Sequence, residues 1–343
     1  MREGRNLQVR KAGKPKLVRH AKPPLGYPSS RMFHLMEEQI RRQLDPARLI
    51  AEIEAAFRDR YHSITIPLRT HISIADGIFL IMPCYDAGSG TLGMKVVTVP
   101  NHPPRAEDRV QAVYMLFDPA SARPNLIIPA NYLTELRTAA TSAVATKLLA
   151  CDDAEVLGIF GTGRQAHAHL KVLPLVRRFR RALVCGKDSG QSRKFAAEIC
   201  EEINLPVEGV DARTCAAESD VLCTCTTAQV PLFEGKLLRR GTHLNLVGAF
   251  QPHTREVDSV TIERSRVVVD TYDAALAEAG DILIPISEGL ITRDHILADL
   301  HELTSGKRVR CQRDEITVFK SVGCALEDLV AAKLLQASEF GNT

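Results

Sequence analysis

The run Glu155-Val156-Leu157-Gly158-Ile159-Phe160-Gly161-Thr162-Gly163-Arg164-Gln165-Ala166 constrains the fold of this chain more than any other stretch. Its apolar first half reads as a buried strand that empties into a glycine turn, and Gln165 to Val176 then carries Ala, Leu and Val at helical spacing. The spacing Gly161-x-Gly163-x-x-Ala166 is that of a dinucleotide turn. In such a turn the first glycine makes the bend, the second admits a pyrophosphate, and a small third residue lets helix and strand pack closely. Phosphates sit on the free N–H groups at the helix start, where the macrodipole is positive. Gly161, Thr162, Gly163, Arg164 and Gln165 are therefore the candidate phosphate-binding residues. The competing explanation is a plain strand-helix turn that needs small residues, but a second strand, Ala182-Leu183-Val184-Cys185, follows the helix as a nucleotide-binding unit requires.

A chain of 343 residues exceeds the usual size of a single core, so two domains with a cleft between them are expected. Its 45% hydrophobic and 25% charged content is that of a soluble globular protein, and no apolar run is long enough to suggest a membrane span. The nine cysteines are odd in number and mostly inside apolar runs, which fits small buried side chains in a reducing compartment, the cytoplasm, without a disulfide framework. Cys223-x-Cys225 lacks zinc-knuckle spacing and His167-x-His169 has no partner set, so no metal site is expected. A net charge of +3 is too small to imply nucleic acid. Residues 1–30, with Arg2, Arg5, Arg10, Lys11, Lys14, Lys16, Arg19 and Lys22 near the start, read as a basic, disordered, solvated extension, without the apolar core of a secretory signal.

Along the rest of the chain, Met32 to Arg60 reads as helical, with Asp45-Pro46 as a cap followed by proline at the first helical position. From Ser63 to Val99 the texture is β-branched and broken by turns, and with Gln111 to Phe117 it predicts a curved antiparallel sheet. Asn131 to Leu149 is a long helix by the spacing of Leu133, Leu136, Ala140, Val144 and Leu148. Beyond the glycine turn, Ser192 to Ile203 reads as helix, and Val207–Val210, Ser219–Thr224, His243–Gly248 and Val267–Asp270 read as strands. Repeated strand-helix alternation requires a parallel, doubly wound sheet with ligands beyond the strand C-termini, which adds Thr226, Thr227, Val247 and Gly248 to the glycine-turn edge. At the second strand's end, Lys187 and Ser189 favour the 2′-phosphate of NADPH while Asp188 suits the ribose of NADH; NADPH is preferred, with NADH possible. A helix from Glu327 to Ser338 returns toward the first domain.

The segments Leu136-Arg137-Thr138-Ala139-Ala140-Thr141-Ser142-Ala143, Gly161–Ala166, Asn245-Leu246-Val247-Gly248-Ala249-Phe250-Gln251-Pro252 with Arg255-Glu256-Val257-Asp258, and Thr317-Val318-Phe319-Lys320-Ser321-Val322-Gly323 resemble, in unbroken order, the ornithine cyclodeaminase and mu-crystallin family. The resemblance implies an α/β protein in which a Rossmann-type doubly wound parallel sheet (139–319) is inserted in an α+β substrate-binding and dimerisation domain (31–138, completed by 320–343), usually as a homodimer. It places the substrate-carboxylate ligands on Arg69, Lys95 and Arg137, with Phe250 and Val322 beside the substrate. It also places Arg137, Thr138, Thr226, Val247, Lys320 and Ser321 beside the cofactor. The trio makes chemical sense alone: guanidinium forks clamp a carboxylate and an ammonium adds a point charge or a proton donor.

Phe250 departs from the cyclodeaminase pattern, which has a proton-handling aspartate at that position. A phenyl ring cannot exchange a proton or pair with an ammonium. The phenylalanine form resembles the Δ1-pyrroline-2-carboxylate reductase subset of the family, which implies NAD(P)H-dependent reduction of a cyclic imino acid to proline or pipecolate. The alternatives are an ornithine cyclodeaminase with catalytic NAD+, and a non-enzymatic protein that binds NADPH and a small ligand.

Overall fold

A computed structural model describes residues 32–105, 109–118 and 121–340. The basic extension expected at 1–30 lies outside the described residues. The chain opens with a short strand β1 (Phe33–His34) and helices α1 (Glu37–Gln43) and α2 (Pro46–Ala55). Asp45 caps α2 as its sequence predicts, accepting from the Arg48 N–H at 2.7 Å with Pro46 in the first turn. Strands β2 (Ile64–Thr65), β3 (Thr70–Ile74), β4 (Gly77–Asp86), β5 (Thr91–Pro100), β6 (Gln111–Phe117) and β7 (Pro124–Pro129) follow, and α3 spans Asn131–Leu149. With β1 they make a seven-stranded sheet in the order β1-β7-β6-β5-β4-β2, with β3 also on β4. Every pairing is antiparallel except β1 with β7.

The second sheet begins at the glycine turn. Its elements are β8 (Val156–Phe160), α4 (Arg164–Val172), β9 (Arg181–Cys185), α5 (Ser189–Glu202), β10 (Val207–Gly209), α6 (Ala212–Glu218), β11 (Val221–Thr224) and β12 (His243–Leu246). There follow α7 (Ser259–Glu263), β13 (Ser265–Val269), α8 (Tyr272–Glu278), α9 (Gly280–Ser287), β14 (Ile296–Asp299), α10 (Leu300–Thr304), β15 (Ile316–Lys320) and α11 (Ala325–Phe340). The order β10-β9-β8-β11-β12-β15-β13-β14 is parallel at every step, and the chain reverses its outward direction between β8 and β11. That reversal opens a crevice at the strand C-termini, where open α/β sheets bind ligands. Two strands, β14 and β15, add to those expected from the sequence, and β15 inserts between β12 and β13. Local pattern cannot reveal that insertion, because sheet order is decided by packing.

Helix α11 returns to lie on β4, β5, α2 and α3, so the last segment closes over the inner face of the first sheet. Along β4 and β5 the inner residues Leu80, Met82, Cys84, Lys95 and Val97 are buried. One of these is a lysine, and a lysine in that position needs a reason. No helix among the described residues is long and apolar enough to cross a membrane. All nine cysteines are free.

Candidate active site

A cleft of about 780 Å³ runs along the C-terminal ends of β8, β9, β11 and β12 and across to the inner face of β4 and β5. Its floor at one end is the glycine turn. Gly161 has φ 113°, and a Cβ there would stand 2.5 Å from the Cys225 carbonyl oxygen, so only glycine fits. At Gly163 a Cβ would meet nothing within 4 Å. The absence of a side chain therefore preserves space rather than relieving a clash. Helices α2, α5, α6, α7, α8 and α10 each begin with a side chain accepting from their first turn, whereas α4, like α1, α3 and α9, has no side-chain cap. An uncapped N-terminus facing an open glycine suits a phosphate pair. These residues fit a dinucleotide.

Thr162, Arg164 and Gln165 line the same end, and Arg164 is held 3.1 Å from Glu135. Lys187 lines the cleft, with its backbone N–H donating to Gln191 Oε1 at 2.9 Å. Asp188 does not line it; its carboxylate accepts from the Gln191 N–H at 2.8 Å as the N-cap of α5. Thr138, Thr226, Val247, Phe250, Ser321 and Val322 all reach the cavity wall. Lys320 is placed otherwise. It is fully buried behind that wall, 2.9 Å from Asp281 and donating to the Ala249 carbonyl at 2.5 Å. His169 is also buried: its ring bonds the Gln165 carbonyl and the Ser142 hydroxyl, and burial pulls it down to about 4, so it is neutral packing between α3 and α4. No group of His, Cys, Asp or Glu among the described residues is arranged to hold a metal.

At the other end the structure brings Arg69, Lys95 and Arg137 to one wall, although they come from the segment just before β3, the middle of β5 and the first half of α3. Each already has a carboxylate. Arg69 pairs with Glu278 and donates to the Val322 carbonyl at 3.0 Å, and its guanidinium carbon lies 5.5 Å from the Phe250 ring centroid. Lys95 Nζ is 2.8 Å from Asp328, and Arg137 lies 2.5 Å from Glu327 and 2.9 Å from Asp328. The Nε of Arg69 is buried without a hydrogen-bond partner, and the Nε of Arg137, close to Asp328 as it is, is not aligned to donate to it.

Burial sets the protonation of this wall. Desolvation, helped by the neighbouring Arg137 charge, brings the Lys95 ammonium down to about 8 against the pull of Asp328. Desolvation likewise lifts the Glu327 carboxyl to about 7, with Asp270 and Asp328 adding to it and Arg137 opposing. Arg137 remains charged, because Asp328 and Glu327 outweigh its own burial. The sequence does not single out Glu278, Glu327 or Asp328. The last two read as ordinary acids in the first turn of α11, where the dipole favours them. The one available signal is an acidic pair one turn beyond Gly323, which carries φ 93° against the Arg137 guanidinium.

The family model for ornithine cyclodeaminase and mu-crystallin matches residues 30–340. The Δ1-pyrroline-2-carboxylate reductase of Bacillus cereus is 35% identical over 311 residues, spanning 89% of this chain and 95% of that protein. Mouse ketimine reductase mu-crystallin is 36% identical, covering 79% of this chain and 84% of its own. Among solved structures, Thermococcus litoralis Δ1-pyrroline-2-carboxylate reductase, with NADH and L-proline, is 37% identical, covers 90% of this chain and 98% of that one, and superposes with a TM-score of 0.85. This chain belongs to the ornithine cyclodeaminase/mu-crystallin family.

Proposed function

We propose that this protein reduces a cyclic imino acid, Δ1-pyrroline-2-carboxylate or its six-membered homologue, to L-proline or L-pipecolate. The observation that carries this reading is the joining, in one cleft, of a dinucleotide turn to Arg69, Lys95 and Arg137, with the apolar Phe250 beside Arg69. A bound nicotinamide coenzyme supplies the hydride. Arg69 and Arg137 hold the substrate carboxylate, which orients the imine carbon toward the coenzyme end of the cleft. Lys95, anchored by Asp328 on one side, has N–H groups left to donate a proton to the imine nitrogen. One hydride to carbon and one proton to nitrogen complete the amine. Phe250 packs against the ring methylenes, at about 0.8 kcal/mol for each one buried. The experiment is loss of coenzyme absorbance with a panel of cyclic imines, and no turnover of any member would remove the proposal.

The coenzyme is NADPH by preference. Support comes from Lys187 at the cleft and from the use of Asp188 as a helix cap, which ties up the carboxylate that would otherwise suit a ribose. Lys187→Ala should therefore weaken NADPH far more than NADH in a binding titration. Equal effects on both would return the preference to the ribose side.

The protein works as a homodimer through the outer face of the first sheet. Cross-strand rows there are apolar although they face away from the core: Ile72 opposite Phe79, Ile81 opposite Val96, Val96 opposite Val113, and Met94 opposite Met115. Ile72, Ile74 and Val113 are more than 40% exposed. A self-complementary sheet face of this kind suits a second copy. Sedimentation should give twice the 37.8 kDa of the chain, and a stable monomer would contradict this assembly.

A further inference from the structure

Behind the wall formed by Thr226, Gly248 and Phe250 lies a polar cluster of Glu256, Asp281 and Lys320, all without solvent exposure. Glu256 joins the two loops that end β11 and β12. Its Oε1 accepts from the Thr226 N–H at 2.8 Å and the Thr226 hydroxyl at 2.7 Å. Its Oε2 accepts from the Thr224 hydroxyl at 2.7 Å, the Gly248 N–H at 2.7 Å and the Ala249 N–H at 3.3 Å. Asp281 in turn accepts from the Glu256 and Val257 N–H groups at 2.7 and 3.2 Å, and pairs with Lys320. Gly248 belongs to the same construction, since a Cβ there would collide with the Thr226 carbonyl and the Glu256 carboxylate.

The charges in this cluster do not cancel. Burial and the nearby Asp281 raise the Glu256 carboxyl, with Lys320 and the two threonine hydroxyls opposing. Donors converge on both of its oxygens, an arrangement that suits the ionised form and leaves little room for a carboxyl proton. Lys320 is the single cation shared by Asp281, its ion partner, and Glu256, so with both carboxylates ionised the three side chains carry one net negative charge a single hydrogen bond behind the cavity wall. Such a charge is weakly screened and acts over several ångströms. A nicotinamide ring is neutral when reduced and positive when oxidised. We propose that Glu256, with Asp281 and Lys320, makes this end of the cleft bind the oxidised coenzyme more tightly relative to the reduced one, and so favours hydride departure toward the imine. This rests on the coenzyme reading above. Glu256 acts through the wall rather than on the substrate, which makes it a positioning residue. Its donors fix Thr226 and Gly248, and its charge tunes what they face.

The network supplies a charge series for the test. Glu256→Gln and Asp281→Asn each bring the cluster from one net negative charge to none, whereas Lys320→Met brings it to two. Calorimetric titration of the folded proteins with oxidised and reduced coenzyme gives two dissociation constants for each. The ratio of oxidised to reduced constants should rise about tenfold in Glu256→Gln and Asp281→Asn and fall in Lys320→Met, as expected for a charge change at this range. Cluster residues that merely hold the loops would change both constants in equal proportion, and that result would overturn the inference. So would a shift in the same direction for Lys320→Met as for Glu256→Gln. Failure of the wild-type protein to bind either form would instead remove the coenzyme reading itself.

Discussion

Replacement of Lys95 by Met is expected to lower kcat/KM for the cyclic imine by about 10²- to 10⁴-fold, the usual range for loss of a positioned general acid. The side chain sits on β5 between Met82 and Tyr114, is 1% exposed, and reaches the cavity with Asp328 as its ion partner. Methionine keeps the length and removes both charge and proton. Asp328 retains Arg137 at 2.9 Å, so the fold should survive the change. The pH dependence follows from the same group. A lysine brought down to about 8 is protonated below that value and loses its proton above it, so kcat/KM should be level at lower pH and fall as pH rises through about 8. A Lys95→Met protein with wild-type efficiency, or a wild-type profile flat through pH 10, would show that the proton comes from elsewhere.

The second large effect is on stability as well as turnover. Arg137→Ala leaves Glu327 without its cation and leaves Asp328 with Lys95 alone, in a place where both carboxylates are fully buried. Stripping one partner from a buried ion pair costs about 3 to 5 kcal/mol. The loss should appear as a lower unfolding midpoint in denaturant with an unchanged slope, and imine turnover should fall with it. Arg137→Lys restores charge without the fork, so it should recover part of the stability and little of the substrate affinity. An Arg137→Ala protein as stable as the wild type would mean that Glu327 and Asp328 find other partners. By contrast, Arg69→Ala should act mainly on turnover, because Glu278 keeps His71 at 3.0 Å.

Where contacts are local, the amino-acid sequence is legible. The expected helix Asn131–Leu149 has the bounds of α3, although that helix is buried nearly all round and Leu148, expected on the apolar face, is exposed; the glycine turn gives β8 and α4, which ends at Val172 rather than at Val176. Lys95 alone reads as surface charge, although its neighbours Met94, Val96 and Val97 on a strand make that reading less easy, and it is the family resemblance that places it at the substrate. Elsewhere the controlling contacts are distant along the chain. The family resemblance implies a cofactor role for Lys320, but its side chain turns inward to Asp281, a partner on another helix. The insertion of β15 between β12 and β13 has the same origin. Glu327 and Asp328 are hidden by a sufficient bland reading, the acidic first turn of a helix.

In the function proposed above, Phe250 carries the distinction between reduction and cyclodeamination. Its ring packs near Arg69 at the cavity wall and offers no proton-handling group there. Closing a ring from ornithine requires amine oxidation, attack by the distal amine, ammonia release and re-reduction, each with proton movement. Reduction of a preformed cyclic imine requires only hydride delivery and one proton. The deciding measurement is therefore made on the wild-type protein in parallel: coenzyme oxidation with Δ1-pyrroline-2-carboxylate, and ammonia production from ornithine with catalytic NAD+. Rapid NAD(P)H-dependent reduction with negligible ammonia is the expected result, and sustained multiple-turnover ammonia release from ornithine would contradict it.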